Sequence, residues 1–178
     1  MTRHFEDVRA SYKPDPIRVL FVGESRPASD HFFYIPDESK GLRHYTEEAF
    51  RRVFGNRVGT QAAFLTFFKS CHCYLDDLCR TPIDNMKPLS ARRAKREGAV
   101  ESFAARLKEL GPGAIVVTMK GISKEVERAR VLATMQGVPI LVARSPSHGG
   151  AGEYVRRMAR FLRLLRNRGL LPADSGVQ

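Results

Sequence analysis

The chain reads as an α/β protein: a three-layer α/β/α sandwich around a four-stranded, mainly parallel sheet. Three observations predict this. Short apolar runs, the pattern of strands buried on both faces, recur along the 178 residues. Capped amphipathic stretches at helical spacing alternate with them. Each run gives way at once to a glycine or a polar loop, where ligands bind in open α/β sheets.

The elements follow in order. Residues 1 to 16 form a polar lead-in with one short helical turn, and Pro14 and Pro16 precede the first strand, Ile17 to Val22. Gly23 is expected to end that strand and turn the chain. A polar loop leads to a helix capped by Thr46 that buries Ala49, Phe50, Val53 and Phe54 and stops at Gly55. Ala62 to Phe68 is expected as the second strand, followed by an irregular stretch to Leu89. Arg92 to Leu110 is expected as one helix, capped by Ser90 and stopped by Gly111-Pro112-Gly113. The third strand is Ala114 to Met119. A helix from Ser123 to about Gln136 leads to the fourth strand, Pro139 to Ala143. The last helix, from about Gly152 to Arg168, carries Tyr154, Val155, Met158, Phe161, Leu162 and Leu165 as its apolar stripe. One domain covers residues 1–178, with its core at about 17–168.

Composition narrows the partners. Thirty Lys and Arg against 19 Asp and Glu give a net charge of +11. Such a surface attracts polyanions, nucleic acid first and anionic membrane second. No apolar run approaches the ~20 residues of a membrane span, and the N-terminus lacks the apolar core of a signal peptide. A cytoplasmic monomer is the default expectation. The three cysteines, Cys71, Cys73 and Cys79, are odd in number and clustered, unlike a secreted disulfide framework. With His72 they could form a zinc site, but their spacing is not that of a zinc knuckle. Neither metal nor cofactor is expected.

The loops beyond the strands carry the chemistry. Glu24 puts a carboxylate at the mouth of the crevice. The consecutive rings Phe32, Phe33 and Tyr34 offer a shelf for a flat polar ligand such as a nucleobase. Arg26, Lys69, Lys120 and Arg144 each follow an expected strand end and would make the crevice edge basic. The Arg156, Arg160 and Arg163 face of the last helix reads as solvated. Ser145-Pro146-Ser147 and Gly149-Gly150 suit phosphate contact through hydroxyls and exposed backbone donors.

Gly23-Glu24-Ser25-Arg26-Pro27, with an aromatic downstream, resembles the first motif of the uracil-DNA glycosylase superfamily, G-E-A-P-G in its thermophile-type branch. Phe64 to Cys71 resembles a second landmark, a strand running into a K-C-R-P-P-like segment. Ala114 to Gly121 resembles the strand that ends in glycine. Ser145-Pro146-Ser147 resembles the final H-P-S or N-P-S motif. The similarity spans about residues 17 to 165. It implies hydrolysis of the N-glycosidic bond of a flipped base in single- or double-stranded DNA. Glu24 would stabilise the sugar cation and orient water, and His148 would assist base departure. Phe32, Phe33 and Tyr34 would stack on the base. Thr66 falls where the family has a uracil-reading asparagine, so a different base pocket is expected. Gly23, Ser25, Arg26, Lys69, Lys120, Arg144, Ser145 and Ser147 would contact the phosphates. The branch's iron-sulfur cluster uses four cysteines, two in an N-terminal C-x-x-C pair; this chain has three and no such pair. Two other readings stay open: a catalytically inactive nucleic-acid-binding relative, and an α/β enzyme for a free nucleotide. The last lacks the G-x-G-x-x-G and P-loop signatures.

Overall fold

The structure is a computed structural model that describes residues 2–29, 31–35, 41–147 and 149–173. It is an α/β sandwich. The elements run α1 (Thr2–Ser11), β1 (Val19–Ser25), α2 (Leu42–Phe54), α3 (Phe64–Ser70), β2 (Cys73–Cys79), α4 (Leu89–Gly98), α5 (Val100–Leu110), β3 (Ala114–Val117), α6 (Ser123–Leu132), β4 (Ile140–Val142) and α7 (Ala151–Asn167). The sheet has four parallel strands in the order β2-β1-β3-β4. Val19 pairs with Cys73 and with Ala114, and Gly23 pairs with Asp77. Helices α2 and α7 pack on each other, and so do α5 and α6. No described helix is long and apolar enough to cross a membrane.

An aromatic cluster fills one side of the core. Phe21 of β1 lies 5.2 Å from Phe68 and 6.2 Å from Phe50, ring centre to ring centre. Phe64 stands 5.6 Å from Phe50, and Phe33 closes the group at 5.4 Å from Phe68. Such tilted and edge-on pairs add to what area burial alone contributes.

Four expectations change, besides two caps: Thr46 and Ser90 lie inside α2 and α4, which begin at Leu42 and Leu89. The second strand is not Ala62 to Phe68. That stretch is mostly helix α3, burying Phe64, Leu65 and Phe68 while Thr66 is exposed. Burial at one, two and five is helical spacing, which a short apolar run conceals. The strand is Cys73–Cys79, CYLDDLC, buried along its whole length despite two aspartates. Second, β1 does not stop at Gly23 but continues through Glu24 and Ser25, which pairs with Cys79. Third, the stretch from Arg92 to Leu110 is two helices, α4 and α5, parting at Gly98-Ala99. Fourth, the lead-in is a ten-residue helix, α1.

With β2 at the sheet edge, its outer backbone groups lack a neighbouring strand. Tyr34 supplies the partner. Its hydroxyl donates to the Leu75 carbonyl at 3.0 Å and accepts from the Leu75 N–H at 2.6 Å. Tyr34→Phe should therefore lower the unfolding free energy by about 1–3 kcal/mol, the cost of leaving buried polar groups unpaired. Urea denaturation measures it, and an unchanged midpoint would mean that the hydroxyl is not the edge cap.

Candidate active site

The strand order reverses between β1 and β3. The connection from β1 leads outward to β2, and that from β3 leads outward to β4. At such a switch point the loops part and leave a crevice beyond the strand ends. A cavity of about 470 Å³ lies there, lined by Gly23, Glu24 and Ser25 of β1, Asp77 of β2, Thr118 and Met119 after β3, and Ser145 to Ser147 after β4. A second cavity of about 310 Å³ is lined by Arg26, His31, Phe32, Phe33, Leu75 and Asp77, among others. Ser25, Gly41, Leu42 and Asp77 belong to both linings. One cavity is therefore aromatic-walled, and it adjoins a more polar one that reaches the serine loop.

Asp77 stands at the junction. It is 4% exposed, beside a fully buried Asp76. Arg9 from α1, itself 1% exposed, bridges the pair. Its Nη1 donates to Asp76 Oδ1 and its Nη2 to Asp77 Oδ2, both at 2.7 Å. Arg106 Nε donates to the other Asp76 oxygen at 3.0 Å. Burial pushes the Asp77 carboxyl above its ordinary value; Arg9 draws it back, and Asp76 adds to the rise. Burial alone would lower the Arg9 guanidinium, but Asp77, Asp76 and Glu6 more than offset that and hold it up. Gly23 makes room for this arrangement. A Cβ there would fall 2.3 Å from Asp77 Oδ1, so the residue serves close approach and not a turn.

Glu24 lines the larger cavity and is nearly buried. Both of its oxygens accept from Arg92 of α4, Oε1 from Nε at 3.0 Å and Oε2 from Nη2. Arg96 Nε stands 3.5 Å from Oε1 as a second ion partner. A carboxylate has about four lone-pair sites, so this fork leaves acceptor capacity toward the cavity. Ser25 Oγ accepts from the Ile83 N–H at 3.2 Å. In the last loop the Ser145 and Ser147 hydroxyls are 2.7 Å apart, and the Ser147 N–H reaches Ser145 Oγ at 3.3 Å.

The other residues singled out by sequence fall as follows. Phe32 and Phe33 line the smaller cavity. Tyr34 lines neither cavity; it is 1% exposed and spent on Leu75, so its ring is not part of the shelf. Thr66 faces outward from α3. Lys69 ends α3 just before β2 begins, at the amino edge of the sheet, and its Nζ donates to the Ser11 carbonyl at 2.8 Å. Both placements follow from α3 being a helix ahead of the true strand. Arg26 lines the smaller cavity with its guanidinium 4.6 Å over the Phe5 ring. Lys120 is exposed in the turn after β3. Arg144 is exposed after β4 and paired with Glu153 at 3.3 Å. His148 lies outside the described residues.

Burial raises the cysteine thiols, Cys71 to about 12 and Cys79 to about 11. Among the described residues no three His, Cys, Asp or Glu side chains are grouped as a metal would need. Another cavity, about 640 Å³ between Cys79–Met86 and α4, is mainly apolar, with no carboxylate among the described residues of its lining. Sequence reasoning missed Arg9, Asp76, Asp77, Arg92 and Arg106. The available signal was Asp76-Asp77 inside an otherwise apolar heptad, CYLDDLC. Compared with known family profiles and with curated proteins, the chain matches none.

Removing one partner of a buried ion cluster costs about 3–5 kcal/mol, so Arg9→Ala should destabilise the protein on that scale near neutral pH. An acid raised above its unfolded value binds its proton more readily when folded, so it favours the folded state more as pH falls. The Arg9→Ala defect should therefore be largest above the raised Asp77 value and shrink as pH drops toward the ordinary 3.8. Urea midpoints across pH test this; a defect that grows with acid would overturn the assignment.

Proposed function

We propose that the protein is a DNA glycosylase-like enzyme that hydrolyses the N-glycosidic bond of an altered base held outside the DNA stack. One observation carries the reading: the aromatic-walled cavity at Phe32 and Phe33 opens beside a polar crevice holding Glu24 and the Ser145–Ser147 loop. A nucleotide has the same three parts in sequence. The base would enter against the rings, the sugar would sit near Glu24, and the phosphate would meet the serine hydroxyls and backbone donors. The net charge of +11 suits a polyanionic substrate.

The chemistry follows from those groups. Glycosidic cleavage leaves positive charge on the sugar and negative charge on the base. Glu24 offers a carboxylate to stabilise the cation and orient water, while Arg92 holds the carboxylate in place. The Ser25 hydroxyl and Arg26, which line the base cavity, would receive the departing charge. A binding-only reading is favoured by one observation, the engagement of both Glu24 oxygens by Arg92.

A base-release assay over uracil, hypoxanthine, xanthine and alkylated bases in single and double strands separates these readings. Wild-type protein is expected to release at least one base. Glu24→Gln should bind oligonucleotide as before but release base about a hundredfold more slowly. Binding without release from any strand supports the binding-only reading.

Salt dependence maps the DNA-facing edge. Arg26→Ala, Lys120→Ala and Arg144→Ala should each reduce the slope of log affinity against log salt by about one. Lys69→Ala should leave it unchanged, because Lys69 sits at the opposite edge of the sheet. The reverse pattern would place the DNA on the amino edge.

A further inference from the structure

We propose that Asp77 selects the base: its carboxylate accepts from the amino group of a cytosine- or adenine-type base and disfavours the diketo edge of uracil. This rests on the base-site reading above and names the substrate class of that site. Among the described residues, Asp77 Oδ2 is bonded to Arg9 at 2.7 Å, whereas Oδ1 has no hydrogen-bond partner. The same residue lines both cavities. Oδ1 lies over Gly23, in the space a side chain at that position would fill. Oδ1 is not among the fully buried unpaired atoms, so it keeps some accessible surface on which a donor can reach it.

The polar surroundings sharpen the choice. Among the described residues, the other charged or titratable groups in the smaller cavity's lining are Arg26, His31 and Arg43. Arg26 Nη1 donates to the Pro27 carbonyl at 3.2 Å, and Arg43 Nη1 to Glu47 at 3.3 Å. The Leu75 backbone groups in the same wall are taken by Tyr34. Ser25, which accepts from the Ile83 N–H, keeps its own proton to give. Among the described residues, the wall therefore presents an anionic acceptor at Asp77, a hydroxyl donor at Ser25 and the unpartnered Arg26 Nε–H. An exocyclic amino group next to a ring nitrogen matches the Asp77 and Ser25 pair. The imide N–H of uracil lies between two carbonyls, whose lone pairs would face the carboxylate. Arg9 is the positioning residue: it holds Oδ2 and leaves Oδ1 over Gly23, at the seam where the larger cavity meets the smaller one. It also backs the wall, with its guanidinium 5.2 Å from the Phe32 ring centre.

The experiment compares the affinity of the full chain for oligothymidine carrying one central 2′-fluoroarabino nucleoside, which resists cleavage. The central residue is cytosine, uracil or an abasic analogue, and fluorescence anisotropy reads the dissociation constant. Wild type should prefer cytosine to uracil by about tenfold, the scale of one charge-assisted hydrogen bond. Asp77→Asn, whose amide can donate, should reverse the order. An unaltered preference in that variant overturns the assignment, as does equal wild-type affinity for the two bases when both exceed the abasic oligonucleotide. If neither base exceeds it, the base-site reading falls and this inference with it. Should Asp77→Asn lose its cooperative melt, Gly23→Ala replaces it. The added methyl displaces the carboxylate while keeping its charge, so cytosine preference should vanish; retained preference overturns the proposal.

Discussion

The arrangement depends on one buried guanidinium. Arg9, on the first helix, lies between Asp76 and Asp77 on the edge strand, and Arg106 closes the far side of Asp76. Two adjacent carboxylates in a fully buried strand would repel each other and lose their hydration. The two arginines supply the missing charge and hydrogen bonds. In doing so they attach α1 and α5 to β2, and so connect the N-terminal segment to the mouth of the sheet. The fold and the site thus share a single electrostatic joint. It puts an acceptor at the junction of two cavities at the cost of a charge cluster inside the core.

A second joint works in the same manner on the other side of the crevice. Glu24 emerges from the central strand and is held by Arg92 and Arg96 of α4, a helix with no buried residue of its own. Apolar burial alone would hold α4 weakly. The fork of Arg92 and the bond from Arg96 Nη1 to the Gly121 carbonyl, 2.8 Å, orient it over the strand ends. A carboxylate so placed is positioned before any ligand arrives, which is what an electrostatic role requires. The edge strand is satisfied by different means. Tyr34 gives its hydroxyl to the Leu75 backbone, and the chain that carries it brings Phe32 and Phe33 to the cavity wall.

The alternation of strands and helices, the first, third and fourth strands and the Ser145–Ser147 loop were legible in the sequence, because each is encoded by neighbours, although the first strand runs on through Ser25. Apolar runs mark parallel strands and helical spacing marks their covers, so the local pattern also put Glu24, Ser25 and the serine loop at one edge. The Phe64–Ser70 segment shows where that logic fails. Over seven residues, aromatic content suggests a strand as readily as a helix, and only the packing of Phe64, Leu65 and Phe68 decided for the helix. The true strand was hidden because two aspartates made it look polar. Their burial depends on arginines 67 and 30 residues away in the chain. No window of sequence contains that pairing. What the sequence determined alone was therefore the set of elements whose burial is local and apolar. The tertiary structure decided where charge could be buried, since that requires a partner brought from elsewhere in the fold, and so it alone placed Asp77 at the site and removed Thr66, Lys69 and Tyr34 from it.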